Sequence, residues 1–408
     1  MRHSLRSALV IAGALVFVFN QTSCAAAKKT PLAPRGDASP AYAAFGFNLY
    51  HEILKEKAGN VFISPASVGF ALAMTYNGAG GGTAEAMASV LGYEGRSLSE
   101  TNAADSTIIR KTNDEPEGID LAVANSLWAR KGIEFSKEFL ARNKRSYGAE
   151  LKTLDFGDPR AAAEINGWVA RNTRYKITQI VEQIDGQSIL FLINAVYFKG
   201  LWSKEFDRGD TRDGDFHLPR GEMKRHPLMR RSGDFRYLRG DDFQAASLPY
   251  ADGRISMYVF LPDDVAGLDA FNAKLTATAW SGWMRSFASR SGTVALPRFK
   301  MEFEMKLREA LSALGMGVAF DGARADFTRM VKRAAQNVYI DNVTHKTYID
   351  VNEKGTEAAA VTSVEMKLTS VMEPPKPFEM IVDHPFFFAI VDNETGLILF
   401  MGSIVDPQ

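Results

Sequence analysis

Apolar residues at helical spacing open the patterned part of the chain, with Tyr42, Phe45, Leu49 and Ile53 on one face. A second helix is expected to start at Ser64-Pro65 and stop at Asn77-Gly78, because Ser caps helix N-termini and Pro is tolerated at the first helical position. Val68, Phe70, Ala71, Leu72, Ala73 and Met74 leave it almost no polar face, the mark of a buried helix. The run Gly78 to Gly82 reads as a flexible connection to a further helix capped by Thr83, since no Lys-Ser/Thr pair follows to make a phosphate cradle. Residues 96–118 are polar and poorly patterned, a surface helix with loops. Leu121 to Leu127 predicts a strand, and Asp158-Pro159 opens a helix carrying Ile165, Trp168 and Val169.

The remainder reads mostly as strands. Ile189 to Phe198 is almost continuously apolar, which predicts a strand covered on both faces, with Asn194 a buried amide in need of partners. Phe243–Leu248 and Ile255–Leu261 pair across a turn at Asp252-Gly253. Thr293 to Lys306 is the cleanest alternation, and a helix from Leu307 to Leu314 stops at Gly315. Phe386–Val391 and Leu397–Met401 form a hairpin of buried strands. Helices first and strands afterwards read as α+β. One stretch fits poorly: Glu353 to Ser370 alternates with period two, yet its first half is Ala-rich and Met372-Glu-Pro-Pro follows directly. It is written as a strand where a loop is expected.

Composition narrows the function classes. The net charge is zero, which removes any global argument for nucleic acid or a membrane surface. The densest basic run, Met223 to Arg231, reads as a solvated face. Arg2, His3 and Arg6 precede an apolar run from Ala8 to Phe19 that is short for a membrane span, so residues 1–23 read as an export signal and 24–40 as a spacer. The single cysteine, Cys24, excludes an intramolecular disulfide. Its setting Gln21-Thr-Ser-Cys24 is similar to a bacterial lipoprotein cleavage site, although Gln21 stands where Leu is usual; ordinary cleavage near Ala25 to Ala27 is the open alternative. The protein is therefore expected outside the cytoplasm, extracellular or periplasmic, or membrane-anchored through a lipidated Cys24. No His pair at metal-ligand spacing, Cys pair or Gly-x-Ser-x-Gly elbow is present, so neither metal nor cofactor is expected and the chain is not read as an enzyme.

Asn60–Val68, Ala71–Met74, Asn194–Trp202, Leu248–Tyr250, Leu314–Met316 with Ala325–Phe327, His345-Lys346 leading to Val351–Ala360, and Asp383–Phe388 stand in a specific order and spacing. On these segments the chain resembles a serpin, from about Ala41 to Pro407. The resemblance implies a single domain over residues 41–408 with three β-sheets, about eight or nine helices and an exposed reactive-centre loop at about 353–375. It further implies a monomeric suicide inhibitor of serine proteases, whose cleaved loop inserts into the main sheet and drags the acylated protease with it. A non-inhibitory member, a binding or chaperone-like protein, is the alternative.

The resemblance also assigns residues. Glu353, Gly355, Thr356, Glu357, Ala358, Ala359 and Ala360 match the hinge that inserts first, and the inward row Thr356, Ala358, Ala360 is small enough to enter a closed sheet. Ser64, Asn194 and His345 match a polar cluster beneath the sheet opening; Trp202 and Glu353 match its top, with Arg298 a partner for Glu353 where similar proteins often have Lys. Counting about fourteen residues from Gly355 puts the reactive bond at Thr369-Ser370, with Leu368 or Lys367 the recognised residue if the register slips. Thr369 suits elastase- or subtilisin-like proteases, Leu368 chymotrypsin-like and Lys367 trypsin-like ones. Tyr175 stands where similar proteins commonly have Gly, which is expected to alter a local turn.

Overall fold

The computed structural model describes residues 40–112, 117–186, 188–333, 337–356 and 376–408. Among these are nine α-helical segments and three sheets, an α+β architecture. The functionally central sheet has six strands in the order Phe299–Lys306, Asn342–Asn352, Gly355–Thr356, Leu190–Leu201, Ile119–Arg130 and Glu150–Leu154. A nine-stranded sheet runs from Val61–Ile63 through the C-terminal hairpin Phe386–Asp392 and Leu397–Ile404 to Phe378–Ile381. Glu134–Phe135 and Val331–Arg333 make a small two-stranded pair.

Leu190–Leu201 shows why an uninterrupted apolar run makes a central strand. Leu190, Leu192, Val196 and Phe198 face the main core, while Phe191, Ile193, Ala195 and Tyr197 pack with Ile165, Trp168 and Val169 of the Ala161–Asn172 helix on the opposite face. The helix with almost no polar face is Pro65–Tyr76, buried along its whole length and packed against Leu190–Leu201, Ile119–Arg130 and Leu397–Ile404. Ser64 caps it by accepting the Ser67 N–H at 3.4 Å. It therefore lies directly behind the six-stranded sheet and sees two of its middle strands.

Four local expectations change. Thr83 does not cap its helix; Gly81–Leu91 starts after Gly80, and the buried Thr83 hydroxyl accepts the Asp326 N–H at 2.9 Å. The alternation from Thr293 to Lys306 is two strands in two sheets, because the chain passes from Ala288–Pro297 to Phe299–Lys306 at Pro297-Arg298, and proline cannot donate to a continued ladder. The helix after Leu307 is one turn, Arg308–Leu311, followed by a wider turn Ser312–Met316 in which Gly315 takes φ +112°. The polar helix Leu98–Thr112 is not only a surface element. Its Asp105 is buried and accepts hydrogen bonds from Tyr42 (2.9 Å), Tyr93 (2.8 Å) and Tyr147 (2.7 Å), which tie four segments together. Burial pushes its carboxyl pKa up, although the three phenols pull the other way.

Candidate functional site

Within the six-stranded sheet, Asn342–Asn352 and Leu190–Leu201 run parallel and pair directly from Asn342↔Phe191 to Tyr348↔Tyr197. Beyond that point they part, and Gly355–Thr356 lies between them, antiparallel to both. Thr356 sits opposite Val351 on one side and Gly200 on the other; Gly355 sits opposite Asn352 and Leu201. The sheet is thus closed along its lower part and opened at the top by these two residues. Gly355 is required there by backbone: its φ is +150°, and a Cβ would collide with the Gly200 carbonyl oxygen.

The turn into this short strand is anchored by Glu353, whose side chain is 2% exposed. Arg298 donates to it through Nε at 2.7 Å and also through Nη2, and Thr211 donates its hydroxyl at 2.7 Å. Burial alone would raise the carboxyl pKa, but these hydrogen bonds outweigh it and hold the group below the usual carboxylate range. Trp202 donates its indole N–H to the Asn352 carbonyl at 2.9 Å and its backbone N–H to the Lys354 carbonyl at 3.0 Å. Arg298, Glu353 and Trp202 therefore converge on one corner. Thr211 and Tyr250 belong to it as well. Neither was indicated by spacing, although Tyr250 lies within Leu248-Pro-Tyr250.

Below the opening, a polar row crosses three strands. Register places His345 beside Asn194 and Asn194 beside Asn125. The Ser64 N–H donates to His345 Nε2 at 3.0 Å, so the ring proton sits on Nδ1 and points to Asn194 Oδ1. The Asn194 amide donates in turn to Ser67 Oγ and Asn125 Oδ1, and the Ser64 hydroxyl donates to the Leu399 carbonyl at 2.6 Å. Burial pushes the His345 pKa down to about 3, with the Asn194 contact pulling weakly against it. The imidazole is neutral at physiological pH and acts as a two-ended connector. Ser67 and Asn125 are the members not foreseen. Ser67 is one helical turn from Ser64, and Asn125 becomes visible only once strand register is known.

Glu357, Ala358, Ala359 and Ala360, the reactive-bond candidates Lys367, Leu368, Thr369 and Ser370, and Cys24 lie outside the described residues. Among the described residues no group of three or more His, Cys, Asp or Glu side chains is placed to hold a metal ion. The basic run Met223 to Arg231 is largely neutralised: Lys224 pairs with Asp406, Arg225 with Asp215 and Arg230 with Glu379, while Arg231 lies over the Phe206 and Phe235 rings.

A family model described as Serpin (serine protease inhibitor) matches residues 40–407. The chain belongs to the serpin family. A serpin-like protein of Thermococcus kodakarensis is 39% identical over 371 residues, covering 89% of this chain and 84% of that protein. Leukocyte elastase inhibitor of Xenopus tropicalis is 34% identical, covering 89% and 97%. The crystal structure of the thermophilic serpin tengpin in its native state superposes with a TM-score of 0.83 at 31% identity, covering 90% of this serpin and 93% of tengpin. Members of this family are mostly protease inhibitors rather than enzymes.

Proposed function

We propose that this serpin is a suicide-substrate inhibitor of serine proteases that acts by loop cleavage and insertion into the six-stranded sheet, the transition established for serpins. The observation that carries this reading is the seated hinge: Gly355–Thr356 already occupies the position of a new central strand, with the strands below it still paired. Thr356 faces the main core, so period two sends Ala358, Ala360 and Thr362 to the same face as insertion proceeds, and none is bulky or charged. The polar row Asn125–Asn194–His345 includes the His345–Asn194 contact that such a strand would part, between Asn342–Asn352 and Leu190–Leu201. Its hydrogen bonds hold the strands together before insertion and offer donors and acceptors to be re-paired afterwards.

The reactive bond is proposed as Thr369-Ser370, with Leu368 and Lys367 as the alternatives, and the target as an elastase-, subtilisin- or chymotrypsin-like protease before a trypsin-like one. Incubation with a panel of such proteases is expected to give an adduct that survives SDS and a released fragment beginning at Ser370. Turnover of the chain as a mere substrate by every protease would sink the inhibitor reading and leave a non-inhibitory binding protein. The protein is further proposed to act as a monomer outside the cytoplasm. Lipid-precursor labelling of the wild type and of Cys24→Ala distinguishes anchoring at Cys24 from release after cleavage near Ala25 to Ala27.

A further inference from the structure

Thr356 is the first side chain of the inward row, and its hydroxyl is matched by Tyr250, the residue that follows the strand Phe243–Pro249 of the nine-stranded sheet. Tyr250 Oη lies 2.8 Å from Thr356 Oγ1, and both residues are fully buried. The Tyr250 ring is clamped. It stacks on Trp202 at 4.3 Å with 11° between planes and meets the edge of Phe198 at 5.1 Å. Gly200 leaves room for it, since a Cβ there would stand 2.8 Å from the ring. The same Trp202 binds the Asn352 carbonyl, so the phenol is fixed relative to the turn that delivers Thr356. Burial raises the Tyr250 pKa, so the hydroxyl stays protonated and able to donate or accept.

We propose that Tyr250 is a positioning residue for insertion: a preformed receptor that seats the hinge at Thr356 in the intact protein, so that the loop begins from two residues already in register. The proposal rests on the inhibitor reading for its use, but not for its geometry. The physical reason is that a hydroxyl entering an apolar interior loses its water and must find a partner. Here the partner waits at the first inward position. Removing one hydroxyl strands the other, whereas removing both leaves two apolar groups of nearly the same shape.

That asymmetry supplies the test. Hydrogen exchange of the amides between Asn352 and Thr356 is measured in the intact protein for the wild type, Tyr250→Phe, Thr356→Val and the double variant. The ratio of adduct to simply cleaved chain is measured beside it. Each single variant is expected to speed hinge exchange about tenfold, a loss of about 1.4 kcal/mol, and to shift the ratio toward cleaved chain. The double variant is expected to return both readouts to within about threefold of the wild type. Wild-type exchange in Tyr250→Phe, or a double variant that shows the sum of the two losses, would overturn the seat. Exchange is read without a protease, so the two readings separate. Unseating in a protein that never forms an adduct removes the inhibitor reading and keeps the seat, and normal adduct formation with unaltered exchange does the reverse.

Discussion

His345 and Tyr175 show what a single residue's surroundings can be made to predict. In the folded chain the His345 pKa lies at about 3, whereas an exposed imidazole titrates near 6.5. Below pH about 6.5 the unfolded chain therefore binds a proton that the native state refuses, and native stability falls as pH drops toward 3. The slope from this one group approaches 1.4 kcal/mol per pH unit, and above about pH 6.5 it vanishes. Urea midpoints followed from pH 7.5 to 4.5 should fall more steeply for the wild type than for His345→Asn, and parallel curves would refute the assignment. Tyr175 is 69% exposed and held at φ +60°, so a Cβ is strained where glycine is free. Tyr175→Gly removes about 1–2 kcal/mol of strain and returns part of it through the looser unfolded chain. A net gain of about 0.5–1 kcal/mol is expected, read as a higher urea midpoint with an unchanged denaturant slope.

At the scale of elements, the hinge strand makes the sharpest prediction. Gly355→Ala puts a methyl group against the Gly200 carbonyl oxygen at a backbone angle that disfavours any side chain. The two-residue strand should leave the sheet while the rest of the fold stands, giving fast exchange at Gly355–Thr356 and a chain that proteases cleave without being trapped. Retained protection at the hinge would count against it. The sequence declared its elements unevenly, for physical reasons. Leu190–Leu201 was legible because burial on both faces leaves a continuous apolar run, and Phe299–Lys306 because burial on one face leaves a strict alternation. Asn125 was not, since an amide on a half-polar strand looks like a solvent-facing residue until register sets it beside Asn194. Asp105 was hidden in the same way, its burial supplied by tyrosines as distant in sequence as Tyr42. Arg298 beside Glu353 came from family resemblance, and Thr211, the second donor to Glu353, from geometry alone. For Glu353 to Thr356, period two announced a strand but not its neighbours; those follow from where Asn342–Asn352 and Leu190–Leu201 diverge.

For the molecule as a whole, the six-stranded sheet as it stands is unfinished. Gly355–Thr356 pairs at the top, and the two strands beneath it close on each other through the parallel register Asn342–Tyr348 with Phe191–Tyr197. Continuing the hinge downward replaces that parallel contact with two antiparallel ladders and requires the strands to separate by about 4.8 Å. Roughly a dozen added ladder hydrogen bonds at about 0.5–1.5 kcal/mol each amount to on the order of 10 kcal/mol, comparable with the stability of a whole domain at about 5–15 kcal/mol. A gain of that size corresponds to an unfolding midpoint higher by on the order of 10 °C, at about 1.3 °C per kcal/mol for a domain of this length. Nicking the loop between Ala360 and Ser370 with any protease should therefore make the chain far more heat-resistant, although a covalent bond has been lost. Thr356→Arg sets the limit of the argument. It places a charge at the buried first position of the inward row, so the nicked variant should unfold at the temperature of its intact form and behave as a substrate. A nicked wild type with no gain in heat resistance would show that the loop does not insert, whatever its hinge is able to begin.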